Sequence, residues 1–373
     1  MKKANLMKIM ALVLAIAMTA CLFVGCGSTQ TTAPAEPAPA QDVAPAESAE
    51  APVEETPAEA SAEVWSVATE TDKVSYEELV AALGELKPED VPEGLRIGVV
   101  LSEPTNEFWT NIGKGIEQAA EYYGVEADVQ YCASADDITG QVAIGEAVVA
   151  QDYDIYIMTS LADDTMSSVV DLAHGNGKLV VNAISQVLSN ADCYFGYDQY
   201  LMGQTAGEYV VEKLGGQGKV AVVMGAVGTE VNTQRTKGFE DACTAGGLEV
   251  VAELAAEWDV ETAMNMAADA LTTDPDIKAF FCVNDNMAIS VAEAVNNKGL
   301  QGECIVIGVD GISATYESMA AGGQTATVDS FGVESGERCL EMAIRLLMGQ
   351  NVNRCVIGPV VVVDNDNRAQ YGH

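Results

Sequence analysis

Two doubly wound, Rossmann-like α/β lobes in tandem are what the sequence predicts, on three observations. Between Leu95 and Val363, short apolar runs alternate with stretches of helical periodicity. The runs are apolar at nearly every position, as in parallel strands covered on both faces. The alternation is long enough for two successive arrays of domain size, and right-handed crossovers make each sheet mostly parallel.

The organising run is Ile277-Lys278-Ala279-Phe280-Phe281-Cys282-Val283, which turns polar at Asn284 and Asp285 and then helical through Met287, Ala288, Val291, Ala292 and Val295. Side chains at such a strand end either cap the next helix or face the crevice beyond the carboxyl ends of the strands, where open α/β sheets hold ligands.

The chain opens with Lys2, Lys3 and Lys8 ahead of an apolar core from Ile9 to Val24, the form of an export signal. Leu22-Phe23-Val24-Gly25-Cys26 resembles a bacterial lipobox, so residues 1–25 are expected to be removed and Cys26 to carry lipid, with Cys21 as the alternative. That places the protein on the extracytoplasmic face of the cell membrane. Residues 26–93 read as an acidic Ala/Pro/Glu tether, with a short helix near 75–86 signalled by Ser75-Tyr76-Glu77-Glu78.

The first array is then Leu95–Leu101, a helix faced by Ile112, Ile116 and Ala119, Val125–Tyr131, a helix with Ile138, Val142 and Val149, Asp154–Met158, a helix with Val169 and Val170, Lys178–Asn182 and Cys193–Tyr197. The second alternates helix Thr205–Lys213, strand Lys219–Met224, helix Thr233–Ala245, strand Leu248–Leu254, helix Val260–Leu271 and the organising strand. Helix 287–297, strand Cys304–Val309, helix Ala314–Ala321, strand Thr325–Asp329, helix Val333–Met348 and strand Pro359–Val363 complete it.

A net charge of −38 leaves no cationic surplus for nucleic acid. Histidine occurs only at 174 and 373, and none of the nine cysteines forms a C-x-x-C pair, which argues against a metal cluster or a histidine-based triad. No G-x-S-x-G, H-E-x-x-H or phosphate-binding loop is present, so neither an enzyme nor a cofactor is expected.

The strand ends carry Asn106, Phe108 and Trp109, then Asn182, Arg235, Trp258, Asn284, Asp310, and Asp329-Ser330. Aromatic faces with amides, a guanidinium and carboxylates suit an uncharged ligand rich in hydroxyls: rings cover the apolar face of a sugar while polar groups exchange hydrogen bonds with it.

From Leu95 to about Val363 the chain resembles the type I periplasmic binding proteins of bacterial ABC importers, in particular the ribose/galactose-type sugar-binding group. The resemblance is carried by Ile97-Gly98-Val99-Val100 with Asn106-Glu107-Phe108-Trp109, by Arg235-Thr236-Lys237-Gly238-Phe239, by Asp274 to Phe280 with Asn284-Asp285-Asn286-Met287-Ala288, and by Ile307-Gly308-Val309-Asp310-Gly311. It implies two lobes, 94–197 with 331–357 and 198–330 with 358–373, joined by a three-segment hinge. It implies that Phe108, Trp109 and Trp258 sandwich the ligand, while Asn106, Arg235, Asn284 and Asp310 hydrogen-bond it. It further implies a monomer delivering its ligand to a permease served by an ATPase; a sensor reporting to a kinase or chemoreceptor would use the same lobes. Two places depart from the ribose-type pattern: Asn182-Ala183-Ile184-Ser185 stands where an Asp-Arg pair is usual, and Asp329-Ser330 where a glutamine is.

Overall fold

The computed structural model describes residues 65–371 except 186 and 189. The export segment, Cys21 and Cys26, the tether up to 64 and His373 lie outside them.

The first sheet has the order β1 (Lys73–Ser75), β12 (Cys355–Ile357), β6 (Cys193–Gly196), β5 (Leu179–Ala183), β4 (Ile155–Met158), β2 (Arg96–Leu101) and β3 (Glu126–Tyr131), all parallel. The second has the order β13 (Val361–Asp364), β11 (Ala326–Asp329), β10 (Ile305–Asp310), β9 (Ile277–Cys282), β7 (Lys219–Met224) and β8 (Glu249–Ala255), with β13 antiparallel to β11. Around the first sheet lie α1 (Tyr76–Leu83), α2 (Glu107–Tyr123), α3 (Ile138–Val149), α4 (Ser167–Gly175) and α10 (Gly332–Leu347). Around the second lie α5 (Gln199–Leu214), α6 (Glu230–Ala245), α7 (Val260–Thr273), α8 (Asp285–Asn297) and α9 (Ser313–Ala320). These are the two Rossmann-like lobes.

Each strand of continuous apolar sequence sits between helix layers, where Ile97, Val99, Phe280, Phe281 and Ile307 are fully buried. In α8 the face built by Met287, Ala288, Val291, Ala292 and Val295 is buried, as its 3.6-residue spacing requires. The chain crosses between the sheets after β6, after β11 and after β12. The first and third crossings are tied together where the Gly358 amide donates to the Gly196 carbonyl at 2.7 Å.

Helices α5 and α6 begin earlier than the apolar periodicity indicates, because polar side chains cap them. Asp198 accepts from the Leu201 amide at 3.1 Å, and Thr229 from the Asn232 amide at 3.4 Å.

The tether does not extend to residue 93. Val67, Leu79, Leu86 and Val91 are buried, and β1 pairs with β12 from Lys73–Cys355 to Ser75–Ile357. Widely spaced apolar residues among Ala, Glu and Lys leave a weak compositional signal, and the three-residue strands β1, at the sheet edge, and β12, beside it, leave none. The seven described cysteines are buried free thiols, and burial pushes Cys132 up to about 11. No helix among the described residues is long and apolar enough to cross a membrane.

Candidate functional site

The loops following β2, β4 and β5 in the first lobe and β7, β8, β9 and β10 in the second face one cavity of about 370 Å3. Seven residues singled out in the sequence line it: Asn106, Phe108, Trp109, Arg235, Trp258, Asn284 and Asp310.

Their placement follows from the strand-to-helix turns. Asn106 caps α2 by accepting from the Phe108 amide at 3.0 Å, which sets the two aromatic rings at the cavity edge. Phe108 is buried against Tyr197, and Trp109 meets it edge to face with centroids 5.0 Å apart. Asn284 caps α8 through Met287 at 3.0 Å while lining the cavity, so capping and facing the crevice are one arrangement. Trp258 rises from the opposite lobe in a left-handed conformation (φ 66°), and its indole lies over Gly225, where a Cβ would come within 2.3 Å of the ring.

Arg235 and Asp310 form the polar floor of the second lobe, both buried. The Arg235 Nε donates to Gln199 Oε1 at 2.6 Å, Nη1 donates to the Val283 carbonyl, and Asp310 Oδ1 lies 3.8 Å away. Burial pulls the Arg235 pKa down and pushes Asp310 up to about 8, each opposed by the partner's charge. Asp310 is strained at φ 130°, and Ile184 and Trp258 on the same wall also have positive φ. Such strain persists where surrounding contacts over-determine the backbone. Here the Ser330 hydroxyl donates to the Asp310 carbonyl at 2.9 Å, and buried Asp285 accepts from the Gly311 amide at 2.8 Å.

Two of the singled-out residues are not on the wall. Asn182 is fully buried inside β5 and donates to the Ser185 carbonyl at 2.8 Å. Ser330 is fully buried beneath Asp310 and supports its backbone. A strand's last residues alternate faces, so proximity to a strand end does not settle exposure to the crevice. His174 pairs with Asp192 at 2.9 Å and does not line the cavity.

Sequence reasoning passes over Gln199, Glu103 and Asp163, all on the wall. Gln199 is the first residue of α5, so its position depends on where that helix starts; Glu103 and Asp163 are two of 56 acidic residues, with no motif to set them apart. Asp163 also reaches across the lobes and accepts from the Glu230 amide at the start of α6 at 2.9 Å. Glu107 does the same for Ser313 at the start of α9, at 3.0 Å. Carboxylates of one lobe thus cap helix N-termini of the other, where partial positive charge favours them.

The model of the periplasmic binding protein domain matches residues 97–351. The D-allose-binding periplasmic protein of Escherichia coli (strain K12) is 30% identical over 256 residues, covering 66% of this chain and 82% of the relative. The D-ribose/D-allose-binding protein of Pseudomonas aeruginosa is 28% identical over 270 residues, 70% of this chain and 85% of the relative. An ABC transporter periplasmic solute binding protein from Actinobacillus succinogenes, solved with bound D-allose, matches with a TM-score of 0.71 and 26% identity, covering 74% of this chain and all of the other. With two parallel-sheet lobes, three crossings between them and a family match over most of its described length, this chain belongs to the periplasmic binding protein family.

Proposed function

We propose that this protein is a lipid-anchored, extracytoplasmic solute-binding protein that captures a small sugar between its lobes and delivers it to an ABC import permease. The observation that carries the reading is the cavity wall itself. Trp109 from one lobe and Trp258 from the other flank it, while Arg235, Asn284 and Asp310 offer hydrogen-bonding groups to the same space. The relatives named for allose and ribose, and the structure holding D-allose, support a sugar. The absence of the first-lobe Asp-Arg pair speaks against ribose itself.

In this mechanism the ligand touches both lobes only when they are closed, so its differential affinity for the closed form drives closure. The three crossings serve as the hinge between lobe 94–197 with 331–357, enlarged by 65–93, and lobe 198–330 with 358–373. The closed form docks on the permease, and lipid at Cys26 keeps the receptor at the membrane.

A thermal-shift screen of the mature protein against hexoses, pentoses and polyols tests the reading, since a ligand at 100 times its Kd adds about 2.7 kcal/mol. The hit is expected to bind Trp258→Ala about tenfold or more weakly, as the loss of a buried aromatic face requires. Unchanged affinity in Trp258→Ala would refute the stacking role, and a screen with no stabilising sugar would refute the reading.

A further inference from the structure

We infer that the ligand carries an ammonium group beside its hydroxyls, an amino sugar, and that Glu103 receives the ammonium. The inference rests on the reading of the cavity as the sugar site and names the chemistry of what fills it.

Among the described residues, three carboxyl groups line the cavity, Glu103, Asp163 and Asp310, with one guanidinium, Arg235, and neither lysine nor histidine. Two of these groups have an electropositive partner in the protein. Asp310 lies 3.8 Å from the Arg235 guanidinium, and Asp163 takes the first turn of α6 through the Glu230 amide at 2.9 Å. Glu103 has no such partner among the described residues. It is 8% exposed, and its one hydrogen bond among the described residues comes from the neutral hydroxyl of Ser102, to Oε2 at 2.5 Å. A buried carboxylate without a counter-charge is costly. Sugar hydroxyls would give it donors but leave its charge uncompensated. An ammonium supplies the charge and up to three donors, in hydrogen bonds roughly twice as strong as neutral ones.

A second, independent group sets the rest of the ligand. Gln199 is 1% exposed and on the wall; its Oε1 is taken by Arg235, and its Nε2 has no partner among the described residues. That donor requires an oxygen acceptor from the ligand on the second-lobe side. An alkyl amine would satisfy Glu103 and leave Gln199 unmet, whereas an amine on a hydroxylated ring satisfies both, with its apolar face left for Trp109 and Trp258.

Calorimetric titration of the mature protein at neutral pH and low ionic strength with D-glucosamine and D-glucose, D-galactosamine and D-galactose, and D-mannosamine and D-mannose tests this. At least one amine is expected to bind about tenfold or more tightly than its neutral parent, and its N-acetyl derivative, which has lost the charge, is expected to lose that advantage. Glu103→Gln, nearly isosteric, should erase the preference and weaken the amine far more than the parent. If a neutral parent binds as tightly as its amine, the ammonium is refuted while the sugar reading stands. A preference that survives Glu103→Gln refutes the role of Glu103. Binding by no member of any pair refutes the inference, while the sugar reading is decided by the thermal-shift screen against hexoses, pentoses and polyols. The wild-type comparison alone decides the ammonium, so a Glu103→Gln chain that failed to fold would leave the inference exposed to refutation.

Discussion

Asp310 is the residue on which site and stability meet. It closes β10 at φ 130°, faces Arg235, and is desolvated, which raises its pKa from the ordinary 3.8 to about 8. A raised folded-state pKa means that below about pH 4 both states hold the proton, while between 4 and 8 the unfolded chain releases it and the folded chain keeps it. Stability contributed by this group is therefore full below that window, falls as pH rises through it, and levels above about 8. Asp310→Asn cannot titrate, so the stability difference between the ligand-free parent and the variant is expected to shift against the parent from pH 5 to pH 8 in urea melts. Parallel curves for the two proteins would contradict the assignment. At this scale the sequence is legible where residue types are rare and turn positions fixed, as for Trp258 and Asp310. It is silent on Gln199 and Glu103, whose importance comes from which neighbours lack partners.

Among the elements, one device recurs in both lobes: two helices brought into backbone contact by glycines. In the first lobe, a Cβ at Gly115 of α2 would stand 1.8 Å from the Val333 carbonyl oxygen, and one at Gly336 of α10 would stand 2.0 Å from that of Ile112. In the second, a Cβ at Gly203 of α5 would stand 1.9 Å from the Arg235 carbonyl oxygen, and one at Gly238 of α6 would stand 2.1 Å from that of Tyr200. Only a residue without a side chain permits that approach. The contact of α5 with α6 also carries function, since it brings Arg235 onto Gln199 at 2.6 Å. Gly203→Ala is therefore expected to cost about 1–3 kcal/mol in denaturant melts and to weaken ligand binding by displacing Arg235. Gly175→Ala, at the end of α4 with open space around it, should change stability by less than about 0.5 kcal/mol. Equal effects at the two positions would show that the close approach is not what matters. The helices and the long central strands were readable because each repeats its apolar signal over several turns or a whole run. Strands β1 and β12 were not: three residues paired only to each other and to β6 carry too short a pattern.

For the whole molecule, the segment from Trp65 to Val91 decides where the folded body begins. Its contacts converge on the crossings between lobes. Trp65 packs on Tyr194 with ring centroids 6.1 Å apart, and the Tyr194 hydroxyl accepts from the Tyr197 amide at 2.9 Å on the first crossing. Lys73 meets Asp198, the cap of α5, at 3.0 Å, and Asp72 accepts from the Arg354 amide at 3.0 Å just before β12. Tyr76 donates to Glu341 of α10 at 2.7 Å, and Arg345 of the same helix donates to the Gly84 carbonyl at 2.8 Å. The Lys73–Asp198 ion pair is half-buried and is one contact among several. The burial of Val67, Leu79 and Leu86, at about 1.5–3 kcal/mol each, is a large share of the 5–15 kcal/mol typical of a domain. A chain beginning at Glu93 should therefore melt well below the mature protein and bind its sugar more weakly, because β12, which feeds the third crossing, loses its outer neighbour. A chain beginning at Val64 should melt with the mature protein. If the two truncated chains melt alike, residues 65–91 are a tether after all, and the first lobe is complete without them.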